Sequence, residues 1–373
     1  MKHVILVSAI ALSTAVLFAA DKNPKREKIR KAILEQYDAN GNGTLDGDER
    51  ALILKTYDAN GNGKLDRGER MALVKALANK QTPQARADDE GDQKDDEASK
   101  WNTRGFKQAN TMGGGKAEIS KSGKLRVFVL MGQSNMTGSG KARELKSPYN
   151  EKHDRIRIWA NGRWEYFVPR VKFGPGVAMA HELADLWPDD TIGIIKVAVG
   201  GTGIHGFVKD WSKAKADRTN DGKKGPLYQD LMNAVAEAKM ISEPVFSGFV
   251  WKQGGGDKGK KDIANNYYDT FAQLVSDLRK DLNTPEMPVF VFNALGDEEL
   301  DKRDKEAFSS KWKYLLPILK AKNRAGRDIP NAVTVIHGTD LPKVDALHYN
   351  TEGQLTLGKM ASSAVKTFYD PRK

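Results

Sequence analysis

A serine that follows an apolar run is the clearest sign of chemistry in this chain. Val127–Met131 is uninterrupted by polar residues, and Gly132-Gln133-Ser134 follows it directly. Such a run predicts a buried strand that ends in a sharp turn, with the Ser134 hydroxyl at the carboxyl end of a sheet. Because open α/β sheets bind ligands at that edge, Ser134 is a candidate nucleophile.

A base for this serine is found near the other end of the sequence, in Asp345-Ala346-Leu347-His348. His348 could take the proton of Ser134, and Asp345, three residues earlier, could orient the imidazole from the same loop. No His-x-x-x-His or similar spacing indicates a catalytic metal. The three residues together predict nucleophilic catalysis by serine.

The elements that would position these residues alternate from Lys124 onward. The predicted strands are Arg126–Met131, Ile156–Ala160, Ile192–Val197, Ser247–Lys252, Val289–Asn293 and Ala332–Ile336. The predicted helices lie near Gly176–Trp187, Leu227–Met240, Asn265–Asp281, Glu306–Lys322 and Glu352–Phe368. Short apolar strands separated by amphipathic helices predict a three-layer α/β/α domain with a mostly parallel sheet.

The composition excludes some kinds of chemistry and of partner and indicates where the protein acts. The 373 residues carry a formal net charge of +11 and include no cysteine, which excludes disulfides and thiolate chemistry. The basic residues are dispersed rather than interleaved with aromatic side chains, so nucleic acid is not an expected partner. Residues 1–20 have a basic start followed by the apolar stretch Val4–Ala20, which predicts a signal peptide and a secreted or periplasmic protein. An uncleaved N-terminal anchor stays open as an alternative.

Two copies of a twelve-residue loop follow, Asp38–Glu49 and Asp58–Glu69, and both resemble the calcium loop of an EF-hand. The oxygen ligands fall at positions 1, 3, 5, 7, 9 and 12, and position 7 contributes only a backbone carbonyl. The predicted ligands are Asp38, Asn40, Asn42, Thr44, Asp46 and Glu49 in the first loop and Asp58, Asn60, Asn62, Lys64, Asp66 and Glu69 in the second.

Calcium is therefore the expected cofactor of an all-α EF-hand module over residues 25–79. Three carboxylates per loop predict weak binding, which favours a structural role or the docking of a calcium-dependent protein partner over sensing. Residues 80–121 are rich in acidic and polar residues and lack apolar periodicity, which indicates a flexible linker. Residues 122–373 are left for the catalytic domain.

Four segments of that domain, in order, resemble the sequence blocks of the SGNH-type esterases. They are Gly132-Gln133-Ser134-Asn135-Met136, then Lys196-Val197-Ala198-Val199-Gly200-Gly201-Thr202, then Trp251-Lys252-Gln253-Gly254-Gly255-Gly256-Asp257, and finally Asp345-Ala346-Leu347-His348-Tyr349. They are most similar to the sialate O-acetylesterase and acetylxylan esterase group, carbohydrate esterase family six. The resemblance implies an SGNH/flavodoxin-like fold and a serine O-acetylesterase that acts on an acetylated carbohydrate, with no metal in the chemistry.

The resemblance also implies roles for residues around the triad of Ser134, His348 and Asp345. Backbone N–H groups of Ser134 and of the Gly200-Gly201 turn would stabilise the oxyanion, and the side-chain amides of Gln253 and Asn135 are further candidates. Two other residues, Gln133 and His205, are expected to contact the substrate.

One position departs from the blocks of that group, whose third block usually reads Trp-x-Gln-Gly-Glu-x-Asp. Gly255 stands where the glutamate is expected. Some members are thought to use this glutamate as the acidic partner of the histidine, so here the triad must depend on Asp345. Two alternatives to an active esterase therefore stay open: a glycan-binding protein that has lost turnover, and a calcium-dependent docking protein.

Overall fold

The structure is a computed structural model, and it describes residues 24–38, 41–58, 63, 65, 69, 70, 73, 77, 114–120, 122–302 and 314–370. The chain divides into two compact units, Met1–Asp96 and Glu97–Lys373. The predicted signal peptide at 1–20 and most of the predicted linker at 80–121 lie outside the described residues. Within the described residues, no helix is long and apolar enough to cross a membrane.

The first unit contains the helices α1 (Pro24–Tyr37) and α2 (Gly47–Tyr57), one on each side of the first predicted calcium loop. Helix α2 begins with a capping box: Asp46 accepts from the N–H groups of Asp48 and Glu49, while Glu49 accepts from the N–H of Asp46. A small apolar core joins the two repeats. It contains Ile33, Tyr37, Leu45, Ile53, Leu54, Tyr57, Leu65 and Leu73.

The second unit is built on a seven-stranded sheet in the order β4-β3-β6-β1-β7-β8-β9. Its strands are β1 (Leu125–Gly132), β3 (Ile156–Ala160), β4 (Arg163–Tyr166), β6 (Thr191–Ala198), β7 (Pro244–Lys252), β8 (Val289–Asn293) and β9 (Ala332–Ile336). All neighbours are parallel except β3 and β4. Strands β2 (Gly140–Lys141) and β5 (Lys172–Phe173) form a separate antiparallel pair.

Helices cover both faces of this sheet. They are α3 (Ser134–Thr137), α4 (Gly176–Leu186), α5 (Lys213–Asp217), α6 (Leu227–Ile241), α7 (Lys261–Asn265), α8 (Tyr267–Asp281), α9 (Asp297–Lys302), α10 (Leu315–Asp328) and α11 (Thr351–Phe368). One apolar core lies between the sheet and α6, α8 and α10, and a second lies between the sheet and α4 and α11. The predicted three-layer α/β/α architecture with a mostly parallel sheet is confirmed.

The structure adds short elements that were not predicted: strands β2, β4 and β5 and helices α3, α5, α7 and α9. The helix predicted at Asn265–Asp281 is confirmed as α8, and α7 precedes it. The helix predicted at Glu306–Lys322 is wrong at its carboxyl end, because α10 continues to Asp328; residues 303–313 lie outside the described residues. None of these differences moves a strand that carries a candidate site residue.

Candidate active site

The sharp turn after β1 places Ser134 at the start of α3. Gly132 has φ +151°, and a Cβ at this position would come within 2.2 Å of the Lys252 carbonyl oxygen on the neighbouring strand β7. The N–H of Gln133 donates to the same oxygen at 3.0 Å. Only glycine tolerates this backbone and this close approach, so the strand ends here and the serine is presented at the carboxyl edge of the sheet.

The predicted base and carboxylate meet in the loop between β9 and α11. His348 Nδ1 donates to Asp345 Oδ2 at 2.8 Å, while Asp345 Oδ1 accepts from the N–H groups of Leu347 and His348 at 2.7 and 2.8 Å. The bond from His348 and the two backbone bonds lower the pKa of Asp345 to about 2. The carboxylate is therefore ionised at neutral pH, and it holds the imidazole with Nδ1 protonated and Nε2 free to accept a proton.

Asn135 joins the nucleophile's turn to this catalytic loop. Its Nδ2 donates to the Leu347 carbonyl oxygen at 3.0 Å, and its Oδ1 accepts from the N–H of Tyr349 at 3.2 Å. These two bonds tie α3 to the residues on both sides of His348. The structure thus gives the Asn135 side chain a positioning role, in contrast to the oxyanion contact that the sequence suggested.

The glycine turn after β6 lies next to the nucleophile. A Cβ at Gly200 would be 3.8 Å from the Ser134 Cβ, whereas Gly201, with φ +67°, lies further out and is exposed. Lys224 Nζ donates to the Gly200 carbonyl oxygen at 3.2 Å and so fixes the turn. Among the described residues, the N–H groups of Ser134 and Gly200 donate to no other group, which leaves both available for an oxyanion.

Gln253 faces the protein interior. It is only 3% exposed, and both N–H bonds of its amide are used: Nε2 donates to the Thr202 carbonyl oxygen at 2.8 Å and to Asp257 Oδ2 at 2.6 Å. Its Oε1 accepts from the Tyr267 hydroxyl at 2.7 Å. The expectation that this amide supplies an oxyanion donor is not supported, because no N–H remains for a substrate.

Asp257 explains why the amide of Gln253 is turned inward. This fully buried carboxylate accepts from the Gln253 amide and from the N–H of Ile204, at 2.9 Å to Oδ1. Burial raises its pKa to about 7, against the opposing effect of these hydrogen bonds. Asp257 therefore connects the loop after β7 to the glycine turn after β6, and among the described residues it makes no hydrogen bond to the catalytic loop.

The profile of a known family covers most of this unit. Residues 124–367 match the family described as "Carbohydrate esterase, sialic acid-specific acetylesterase". The chain belongs to this family. It is therefore a carboxylic ester hydrolase of the carbohydrate acetylesterase class, and we refer to it below as the esterase.

Relatives in plants and bacteria show the same similarity. The esterase is 27% identical to the "Probable carbohydrate esterase At4g34215" of Arabidopsis thaliana over 64% of its own length and 89% of the relative. The solved structure of that plant protein matches with a TM-score of 0.51 at 24% identity, covering 65% and 98% of the two chains. A carbohydrate acetylesterase from Xanthomonas citri matches with a TM-score of 0.47 at 18% identity, over 65% of the esterase and 56% of that chain.

The side chain of Gln133 occupies space that a side chain at position 255 would need. Its Oε1 accepts from the N–H of Gly256 at 3.1 Å, and its Nε2 would be only 2.9 Å from a Cβ placed on Gly255. Gln133 thus braces the third motif of the esterase through its oxygen. Its Nε2 has no partner among the described residues, which keeps it available for the predicted substrate contact.

Among the described residues, His205 makes no hydrogen bond to Ser134 or His348. It is half-buried in the turn Ile204–Gly206, where burial lowers its pKa; Lys215, Arg218 and Asp210 are its charged neighbours. The predicted substrate contact of His205 has no support in this geometry.

Two lysines, Lys252 in the third motif and Lys322 in α10, form no ion pair with a carboxylate among the described residues; Asp257 is the acidic group nearest in effect to Lys322. Lys252 Nζ is 2.8 Å from Nε2 of His337, whose Nδ1 donates to the Gly338 carbonyl oxygen, and burial together with Lys252 lowers the pKa of His337 to about 2. Lys322 is 6% exposed, and burial lowers its pKa to about 8. Both lysines therefore destabilise the folded state when they are protonated.

Several supporting residues were not found from the sequence. Asp221 is fully buried, accepts from the N–H of Gly203 at 2.7 Å and pairs with Lys224 at 2.5 Å. Tyr267 donates to Gln253 and accepts from the indole of Trp251 at 3.0 Å. The spacing of these residues matches no motif, so only their positions in the fold reveal their roles.

The predicted calcium ligands are described only in part. Asn40, Asn60, Asn62, Lys64 and Asp66 lie outside the described residues. In the first loop, Asp38 accepts from the N–H groups of Asn42 and Gly43 at 3.1 and 2.8 Å, and Thr44 bonds to Asn42. Among the described residues, no three acidic or histidine side chains come together as metal ligands. The EF-hand assignment stays a prediction.

Proposed function

We propose that the esterase removes O-acetyl groups from a glycan through an acetyl intermediate on Ser134. The observation that carries this proposal is the bonded pair of Asp345 and His348 in a loop that Asn135 ties to the serine's own turn. This arrangement supplies an oriented base in a loop that is hydrogen-bonded to the turn of a serine at a sheet edge.

Each step of the reaction has a group to perform it. The Ser134 oxygen attacks the acetyl carbonyl while His348 Nε2 takes the hydroxyl proton. The N–H groups of Ser134 and Gly200 stabilise the negative charge that develops on the carbonyl oxygen, and one such donor typically contributes about 10²–10³ in rate. The imidazolium then protonates the departing sugar oxygen. Water attacks the acetyl-serine by the same route in reverse, which releases acetate and restores Ser134.

The absence of the third-motif glutamate is compatible with catalysis, because Asp345 supplies the acidic partner of His348. Asp345 already bonds to His348 Nδ1, the nitrogen that an acidic partner must hold, so Gly255 leaves no missing member in the triad. We further propose carbohydrate esterase family six as the finer assignment, with acetylated sialic acid, xylan or a related glycan as substrate.

The test is acetate release from 4-nitrophenyl acetate by the full chain, with Ser134→Ala and His348→Ala beside it. Loss of turnover in both variants, with an unchanged melting temperature, is the expected result. Equal rates in all three proteins would mean background hydrolysis of a reactive ester, and the binding-protein alternative would then replace the proposal. Active protein is next assayed against acetylated glycans to identify the sugar.

We also propose that the N-terminal loops bind calcium. In both repeats the sixth position is a glycine with positive φ, +76° at Gly43 and +75° at Gly63, and its N–H donates to the aspartate that opens the loop, at 2.8 and 2.6 Å. The same turn in two repeats supports a common loop geometry, and carboxylate and amide oxygens suit calcium. The ligands would be the twelve residues predicted from the sequence.

Calorimetric titration of the full chain with calcium tests this second proposal. Glu49→Gln removes a carboxylate at loop position 12 and should weaken binding at least tenfold, whereas Asp48→Asn, at a non-ligand position of the same loop, should not. No calcium binding by the unaltered chain, or equal binding by both variants, would overturn the assignment. A calcium-dependent partner would be sought by affinity capture in calcium and in chelator.

Export is proposed from residues 1–20 alone. Sequencing the amino terminus of the protein recovered outside the cytoplasm would show whether this segment is removed. A mature chain that still begins at Met1 would contradict cleavage and favour the uncleaved anchor.

A further inference from the structure

A polar cavity of about 290 Å³ lies beside the catalytic loop. Its volume is close to the lower end, about 300 Å³, of cavities that hold small ligands. Polar or charged side chains form almost all of its wall. The lining residues are Ser139, Lys141, Glu144, Lys343, Val344, Asn350 and Thr351.

The cavity is bounded by the two chain segments that carry the catalytic groups. Ser139 comes five residues after Ser134, just beyond α3. On the other side, the N–H of Val344 donates to the carbonyl oxygen of His348 at 2.8 Å, and Asn350 follows that histidine by two residues. The cavity therefore borders the backbone of the loop that carries His348.

One wall of the cavity is held in place by its own hydrogen bonds. Thr351 Oγ1 accepts from the N–H of Lys141 at 2.9 Å and donates to Glu144 Oε2 at 2.6 Å. Lys141 Nζ lies 3.3 Å from Glu144 Oε1. The bonds from Thr351 and Lys141 lower the pKa of Glu144, so this carboxylate stays ionised as an acceptor. Such pre-organisation reduces the entropy lost when a ligand binds.

Two other lining residues supply hydrogen-bond donors. Lys343 Nζ donates to the Thr339 carbonyl oxygen and forms no ion pair with a carboxylate among the described residues, so it can donate to a ligand as well. Asn350 accepts from the N–H of Gly353 with its Oδ1, and its Nδ2 donates to no group among the described residues. Donors and acceptors in one lining match the hydroxyl groups of a sugar ring, which act as both.

Exposed apolar side chains occur in the segments that form the cavity. Val344 lines it and is 51% exposed, Leu347 in the same loop is 45% exposed, and Val171, whose carbonyl oxygen accepts from the N–H of Ala142, is 61% exposed. Exposed apolar side chains can mark a binding surface. They would contact the C–H faces of a carbohydrate, while the cavity takes its hydroxyls.

We propose that this cavity is a subsite for a neighbouring sugar unit, so that the esterase favours acetyl groups on an oligosaccharide or polysaccharide over those on a free monosaccharide. The inference rests on the proposed function, because it places the reacting acetyl group at Ser134. It assigns specificity for chain length to Glu144 and Lys343, neither of which takes part in the chemistry.

The test compares kcat/KM per acetyl group for chemically acetylated xylotetraose and for acetylated methyl xyloside, using the full chain. We expect the tetrasaccharide to be favoured about tenfold, as for one hydrogen bond to a charged group at the lower end of its usual range. Lys343→Ala and Glu144→Gln should remove most of this preference through KM. Lys359→Ala, an exposed lysine of α11 that does not line the cavity, should keep it.

Hydrolysis of 4-nitrophenyl acetate separates the subsite from the catalytic proposal. All three variants should cleave this small ester at the unaltered rate, while Ser134→Ala should not cleave it. Equal kcat/KM for the two carbohydrates, a preference that survives in both cavity variants, or no hydrolysis of either carbohydrate would overturn the subsite. The catalytic proposal fails only if Ser134→Ala matches the unaltered protein.

Discussion

Replacing Asp345 by asparagine tests the geometry of the catalytic loop most directly. In Asp345→Asn, Oδ1 can still accept from the N–H groups of Leu347 and His348, so the loop should keep its shape. The amide that replaces Oδ2 would then face His348 Nδ1, 2.8 Å away. Two donors cannot share that contact, so the imidazole must move its proton to Nε2 and lose the lone pair that accepts the serine proton.

The expected loss in kcat follows from these contacts. A comparable substitution at a buried triad aspartate costs about 10⁴ in kcat. The Asp345 side chain is 51% exposed, so water can replace part of its electrostatic stabilisation of the imidazolium, but not its control of the tautomer. We therefore expect a loss of about 10³ in kcat for 4-nitrophenyl acetate, with KM changed less than twofold.

The assay is steady-state hydrolysis from pH 5 to 9, with thermal unfolding measured in parallel. Because the pKa of Asp345 is about 2, its own titration should not affect the profile of the unaltered enzyme in this range. Asp340→Asn, an exposed carboxylate that follows β9, is the matched control and should be fully active. Full activity of Asp345→Asn with an intact fold would refute the assignment of the acid and of the tautomer.

Three further predictions follow. Asn135→Ala removes two hydrogen bonds to the catalytic loop and should lower kcat/KM about 10- to 30-fold, with faster hydrogen exchange in that loop. A loss of activity with unchanged hydrogen exchange would contradict the positioning role and favour an oxyanion contact. Gly132→Ala forces a Cβ to within 2.2 Å of the Lys252 carbonyl oxygen and should abolish activity or folding, which circular dichroism and turnover would detect. Lys322→Met should stabilise the protein at pH 7 by up to roughly 3 kcal/mol, because the pKa of Lys322 is about 8 in the folded state and 10.5 in the unfolded state. Urea unfolding of this variant should no longer show the rise in stability between pH 8 and 10.5 that the unaltered protein should show. Lys320→Met, on the exposed side of the same helix, should change neither the stability nor its pH dependence.

The sequence was sufficient for the six parallel strands, because each is a short apolar run between polar turns, and all but the edge strand β9 are largely buried. Strand β4 could also have been found. Asn161 and Gly162 both have positive φ, and an Asn-Gly pair between two apolar-rich segments is the strongest short-range signal for a hairpin. The carboxyl end of α10 was harder to predict, because Gly326 lies inside the helix and does not end it; the helix continues to Asp328, two residues before Pro330.

The catalytic pair could be predicted from the sequence because its geometry is set within one short segment. Asp345 and His348 are three residues apart, and Asp345 bonds both to the ring and to the backbone between them, so spacing alone limits their geometry. The position of Ser134 could be predicted because the side chains that follow an apolar strand ending in glycine lie at the edge of the sheet. These are properties of single segments, which a sequence encodes directly.

Only the tertiary structure decided what the amide side chains do. Gln253 and Asn135 carry the same functional group beside the same serine, yet one is turned inward by Asp257 and the other bridges to a loop more than 200 residues away in sequence. Their directions depend on partners from distant segments that meet only in the folded chain. An amide donates and accepts equally well in either setting, so residue type and spacing name the candidates, and the surrounding donors and acceptors determine which of them remains free for the substrate.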